Sequence, residues 1–140
     1  MISSGVKMKV NRIDHVGIAV KDIGKARHVY EDLLQIEFEP AEEVEDQKVI
    51  VAKGKVGESH LELLEATAAD SPIARFIEKH GPGIHHICLA VDDIATALSR
   101  FCAEGYSLID KLPREGAGGK QVAFLHPVTM GGVLLELSED

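Results

Sequence analysis

The chain has 140 residues, 45% of them hydrophobic and 27% charged, with a formal net charge of −8. That length allows one domain, or two very small modules sharing a core, and the acidity argues against a nucleic-acid partner. No apolar run approaches the ~18 residues of a membrane helix and no signal-like segment opens the chain, so no membrane association and a cytoplasmic location are expected.

The elements follow in order. Residues 1–8 read as an N-terminal arm. A β-rich run, "IDHVGIAV", covers 13–20. Asp22 stands in a helix N-cap position before a helical apolar pattern of Ile23, Ala26, Tyr30, Leu33 and Leu34. Three shorter strand candidates follow near 35–41, 47–53 and 58–65. The segment "SPIARFIEKHGPG" predicts a connecting helix over 71–82: Ser71 caps it, Pro72 fits its first turn and Gly81 closes it. A second run, "IHHICLAV" at 84–91, precedes Asp93, an apolar helical pattern of Ile94, Ala97, Leu98 and Phe101, and a closing Gly105. Strand candidates near 106–111, 120–126 and 132–138 complete the chain. Cys88 and Cys102 form no CxxC and read as reduced thiols packed like small apolar residues.

The two halves repeat one another. With an offset of 71, Ile13, His15, Ala19, Val20, Asp22, Ile23 and Ala26 meet Ile84, His86, Ala90, Val91, Asp93, Ile94 and Ala97. "LELLE" at 61–65 meets "LELSE" at 135–139. Self-similarity on this scale marks a duplicated supersecondary unit. The expected fold is α+β: two tandem βαβββ modules, 9–70 and 83–140, forming a cup-shaped mixed sheet with helices on the outer face.

Side chains alternate along a strand. Val16, Ile18 and Val20 share one face of the first run and suit packing against the helix. His15, Gly17 and Ala19 share the other. The second run repeats this, with Ile87, Leu89 and Val91 opposite His86, Cys88 and Ala90. Each histidine face thus carries small neighbours, which leaves room beside the imidazole. In the last strands, Glu62 opposes Leu61 and Leu63, and Glu136 opposes Leu135 and Leu137. A lone strand histidine is more often structural than a ligand, and a lone glutamate among leucines is usually a solvated face. Twofold repetition changes the balance. A pseudo-twofold would gather His15, Glu62, His86 and Glu136 into a set of two imidazoles and two carboxylates. That set suits one divalent ion per chain (Co, Mn, Ni, Zn or Fe) and leaves two cis positions for a bidentate substrate. His60 shares the face of Glu62 and is the substitute ligand. His85 points to the opposite face. His28 and His80 lie on helices and read as surface residues.

These features resemble the vicinal oxygen chelate superfamily, which includes glyoxalase I, extradiol dioxygenases and fosfomycin-resistance enzymes. "RIDHVGIAVKDI", "HLELLEATAADSPIARFIEKHGPGIHHICLAVDDI" and "GKQVAFLHPVTMGGVLLEL" are similar to its methylmalonyl-CoA epimerase family over Arg12 to Ser138. The resemblance implies interconversion of (2R)- and (2S)-methylmalonyl-CoA by a homodimer, through proton transfer at C2 and a metal-stabilised enolate. By position, the family's metal ligands fall on His15, Glu62, His86 and Glu136, with glutamate at 62 where glutamine is common. Glu136 is then the likeness-based candidate for the acid–base group. Some members carry a second glutamate where this chain has Val51; Glu45, Asp46, Gln47 or a water could stand in. Lys120, Arg114, His126 and Gln47 are the candidates for contacting the acyl-CoA. The same metal set could also serve a glyoxalase I-type isomerase of glutathione hemithioacetals. An iron dioxygenase would want only one carboxylate, and a metal-free binding module would need no paired ligands.

Overall fold

The computed structural model describes residues 7–140, and most of the proposed N-terminal arm lies outside them. The chain divides into two compact units: His15–His85, and the residues up to Asp14 together with His86–Asp140. The strands are β1 (Val10–Ala19), β2 (Glu42–Val44), β3 (Val49–Val56), β4 (Ser59–Ala66), β5 (Gly83–Val91), β6 (Arg114–Glu115), β7 (Gln121–Leu125) and β8 (Leu135–Glu139). The α-helices are α1 (Ile23–Arg27), α2 (Pro72–His80) and α3 (Ile94–Ala103).

In the unit His15–His85 the sheet order is β2-β3-β4-β1, with β1 and β4 parallel and the other pairs antiparallel. In the other unit it is β5-β8-β7-β6, with β5 and β8 parallel and the rest antiparallel. The α+β reading as two βαβββ modules with mixed pairing is borne out. The parallel pair in each module needs a crossover, and a helix supplies it.

Local chemistry explains each helix start. Asp22 accepts hydrogen bonds from the Gly24 and Lys25 amides at 2.9 and 3.2 Å. Asp93 accepts from the Thr96 amide at 3.0 Å and the Thr96 hydroxyl at 2.7 Å. Those bonds, the backbone one foremost, hold the Asp93 carboxyl below its ordinary pKa. A second carboxylate serves each helix from the last strand of its own module. Glu65 Oε1 accepts from the Ile23 amide at 2.7 Å, and Glu139 Oε2 accepts from the Ile94 amide at 3.0 Å. First-turn donors that have no intrahelical partner are thereby satisfied, and the negative charge lies at the positive end of the helix. In α2, Ser71 caps the Ile73 amide at 3.1 Å, Pro72 occupies the first turn and Gly81 closes it at φ 77°, as the sequence predicts.

Two expectations change. The first helix does not run regularly to Leu34. Residues His28–Leu33 form a π-helical turn, with the Leu34 amide donating to the Val29 carbonyl. Leu33 and Leu34, read as buried positions of a regular helix, are largely exposed. The strand candidates at 35–41 and 106–111 each reduce to an isolated bridge, Phe38 with Gly54 and Leu108 with Leu125. Proline explains both. Pro40 and Pro113 offer no amide to the ladder, which resumes beyond them as β2 and β6.

The cores follow the face pattern in one unit and modify it in the other. Leu135 and Leu137 pack with Val91, Ala123, Leu125 and the α3 residues Ile94, Ala97 and Leu98. Burial of such a side chain contributes roughly 1.5–3 kcal/mol. In the unit His15–His85, however, Ala19 is fully buried while Val16 and Ile18 are only half-buried. Ala19 joins Val49, Val51, Leu64 and Ile73 in a cluster against which Phe76 and Ile77 of α2 pack. One end of the histidine face is therefore filled by the connecting helix. On the opposite face Phe38 lies so close to Gly54 that a Cβ there would sit 2.5 Å from the ring. Gly54→Ala is expected to cost about 1–3 kcal/mol of stability, read as a lower urea midpoint at unchanged m-value. Cys88 is buried as the sequence predicts, whereas Cys102 is exposed.

Candidate metal and acid–base site

Each unit carries one buried imidazole–carboxylate pair. In the unit His15–His85, the β1–β4 register sets Gly17 beside Glu62. Side chains of residues two apart share a face, so His15 and Glu62 project together. His15 Nδ1 lies 3.2 Å from Glu62 Oε2. In the other unit, the β5–β8 register sets Cys88 beside Glu136, and His86 Nε2 lies 3.2 Å from Glu136 Oε1. His15, His86 and Glu136 are buried and Glu62 is half-buried. The leucines at 61, 63, 135 and 137 lie on the faces opposite these carboxylates, as predicted.

The spacing tests whether such pairs suit a metal. Nitrogen and oxygen ligands at about 2.1 Å from one divalent ion stand about 3.0–3.4 Å apart in octahedral or tetrahedral order. The observed 3.2 Å lies inside that range in both pairs. An imidazole–carboxylate hydrogen bond can have a similar length. Repetition of a buried pair at equivalent places is what favours ligation, because a buried carboxylate is costly to desolvate without a strong partner. The donor set, imidazole with carboxylate, is one that first-row divalent ions accept.

The remaining candidates are placed as follows. His60 is half-buried and is the register partner of His15, on the predicted face. His85 packs edge-on against Phe76 at 5.0 Å between ring centroids. His28 pairs with Asp32 at 2.9 Å, and His80 stacks at a tilt on Phe76. Gln47 belongs with Glu45 and Asp46 to an exposed 3-10 turn. Lys120 is exposed, with Nζ 4.0 Å from Asp140. His126 is exposed in a turn, where its Nδ1 accepts from the Val128 amide at 3.1 Å. Arg114 lies over the Phe124 ring at 5.6 Å and reaches Asp110 at 3.4 Å. Val51 is buried in the α2 cluster and offers packing alone.

Sequence reasoning missed three neighbours of the pairs. Phe124 is the register partner of Glu136 and meets His86 edge-on, with ring centroids 5.7 Å apart. Ser138 is buried two residues along the strand from Glu136. Lys53 is the register partner of Glu62. Alternation gives each strand's own faces; only the pairing register says which residue of the next strand stands beside a ligand.

The chain is similar to known proteins over most of its length. The family model described as the glyoxalase/bleomycin resistance protein/dioxygenase superfamily matches residues 14–124. An uncharacterized Bacillus subtilis protein, YqjC, is 45% identical over 130 residues, covering 93% of each chain. The mitochondrial methylmalonyl-CoA epimerase of Dictyostelium discoideum is 39% identical over 135 residues, covering 95% of this chain and 81% of its own. A methylmalonyl-CoA epimerase solved in complex with methylmalonyl-CoA and NH4+ superposes with a TM-score of 0.88 at 33% identity, covering 94% of this chain and 96% of its own.

Proposed function

The chain belongs to the methylmalonyl-CoA epimerase family of the glyoxalase/bleomycin resistance protein/dioxygenase superfamily, and from that premise we propose that it interconverts the 2R and 2S epimers of methylmalonyl-CoA with the help of one divalent ion. The observation that carries the reading is the buried His–Glu pair at 3.2 Å, present once in each unit. His15, Glu62, His86 and Glu136 are the residues that would hold the ion. When bound, it would supply positive charge for the enolate that forms on loss of the C2 proton.

The protein's own groups must do the rest. The C2 proton lies between a thioester carbonyl and a carboxylate, so its removal needs a base within hydrogen-bond reach. Glu136 is that base: a buried carboxylate, oriented by His86 and walled by Phe124, where water competes little. The hydrophobic sheet face beneath it, Leu135 and Leu137, fixes its strand against α3 and keeps the carboxylate in place. Epimerisation also requires return of a proton on the other side of C2. Val51 offers no titratable group for this.

Purified protein supplied with Co²⁺ is expected to equilibrate (2S)-methylmalonyl-CoA with its epimer, followed by coupling to a stereospecific mutase. The glutathione hemithioacetal of methylglyoxal is expected to give no turnover. The reverse pattern would assign the same ligands to glyoxalase chemistry instead.

A further inference from the structure

The two modules match in their His–Glu pairs but differ in what stands beside each carboxylate. In β7, Phe124 is the register partner of Glu136. In β3, at the corresponding place, Lys53 is the register partner of Glu62. Partners on neighbouring antiparallel strands project to the same side of the sheet. Lys53 therefore shares the face of Glu62 and His15. It is half-buried, as befits a lysine whose stem lies along the sheet. Lys55 follows on the same face as the partner of His60.

The charges explain why an ammonium is useful in that position. Under the reading above, on which this inference rests, Glu62 and Glu136 neutralise a divalent ion. An acyl-CoA with a free carboxylate then brings one surplus negative charge, and passage of the C2 proton to Glu136 moves negative charge onto the substrate without changing that total. Surplus charge of one sign in a buried site is strongly unfavourable. Phe124, at the equivalent register position of the other unit, contributes no charge of its own. We propose that Lys53 is the counter-charge of Glu62: a positioning residue that adjusts the charge of the site so that it accepts an anionic acyl-CoA. A lysine suits this task because its ammonium acts as a point charge on a flexible stem, without imposing the paired geometry of a guanidinium.

The test uses the full chain as Lys53→Met, Lys53→Arg, Glu62→Gln and the Lys53→Met/Glu62→Gln double variant. Calorimetric titration of the metal-free protein with Mn²⁺ is the first readout. Loss of the neighbouring positive charge in Lys53→Met is expected to tighten Mn²⁺ binding severalfold, and the double variant to return toward the wild-type value. The KM for methylmalonyl-CoA is the second. It is expected to rise roughly tenfold in Lys53→Met with a much smaller change in kcat, and to recover in the double variant. Lys53→Arg keeps the charge and should match wild type in both. Equal Mn²⁺ affinity in wild type and Lys53→Met, or a double variant indistinguishable from Lys53→Met, overturns the proposal. If wild type fails to turn over methylmalonyl-CoA, the activity reading falls, and the Mn²⁺ isotherms alone decide the role of Lys53.

Discussion

Glu136→Gln is expected to lower the rate of deuterium incorporation at C2 of methylmalonyl-CoA by about 10²–10⁴-fold, the usual worth of a positioned general base. The amide keeps the shape of the carboxylate, so the contacts around it survive. His86 at 3.2 Å and Phe124 across the strand pair still confine it. What it loses is the capacity to take a proton. Incubation in D₂O followed by NMR measures the exchange directly, without need of a coupled assay. The twin residue supplies the control. Glu62 lies 3.2 Å from its own histidine but has Lys53 beside it, an environment suited to holding charge rather than moving protons. Glu62→Gln should therefore lose far less exchange. Metal content measured on both variants separates loss of the base from loss of the ion. Equal exchange in Glu136→Gln and wild type would remove Glu136 from the chemistry.

The pair geometry was legible in the sequence because duplication repeats it. One "IDHVGIAV" says little about a histidine; a second in register, followed by matching glutamates, identifies the face they share. The helix starts were legible too, since Asp22, Ser71 and Asp93 act through local bonds to amides two or three residues on. What escaped depends on neighbours distant in sequence. Pro40 and Pro113 shifted the edge strands, because the ladder needs an amide that proline lacks. The π-helical turn at His28–Leu33 changed which apolar side chains face inward, and no composition rule marks that turn. Ala19 was read as lining open space, whereas α2 lays Ile73 over that end of the face. Glu65 and Glu139 read as ordinary charges, yet each reaches a helix start about forty residues earlier in the chain. Lys53 was invisible for the same reason: its importance is its strand partner.

Removal of the metal is expected to have the second large effect, on both turnover and stability. With chelator, epimerisation should fall to background and return on addition of Co²⁺ or Mn²⁺. A ligand present at a hundred times its Kd stabilises the native state by about 2.7 kcal/mol. For a chain of this length that corresponds to a drop in Tm of roughly 5–15 °C on chelation. The sign follows from the pairs themselves. Two carboxylates and two imidazoles drawn out of water need a compensating positive charge, and the ion is the largest available. His15→Ala and His86→Ala test the point one module at a time. If both histidines serve one ion, either variant alone should abolish the Tm rise that Co²⁺ produces in wild type. If each pair bound an ion of its own, each variant would keep about half of that rise. If the pairs serve only as buried hydrogen bonds, chelation would leave Tm and turnover unchanged in wild type, and the catalytic reading would lose the cation that it requires.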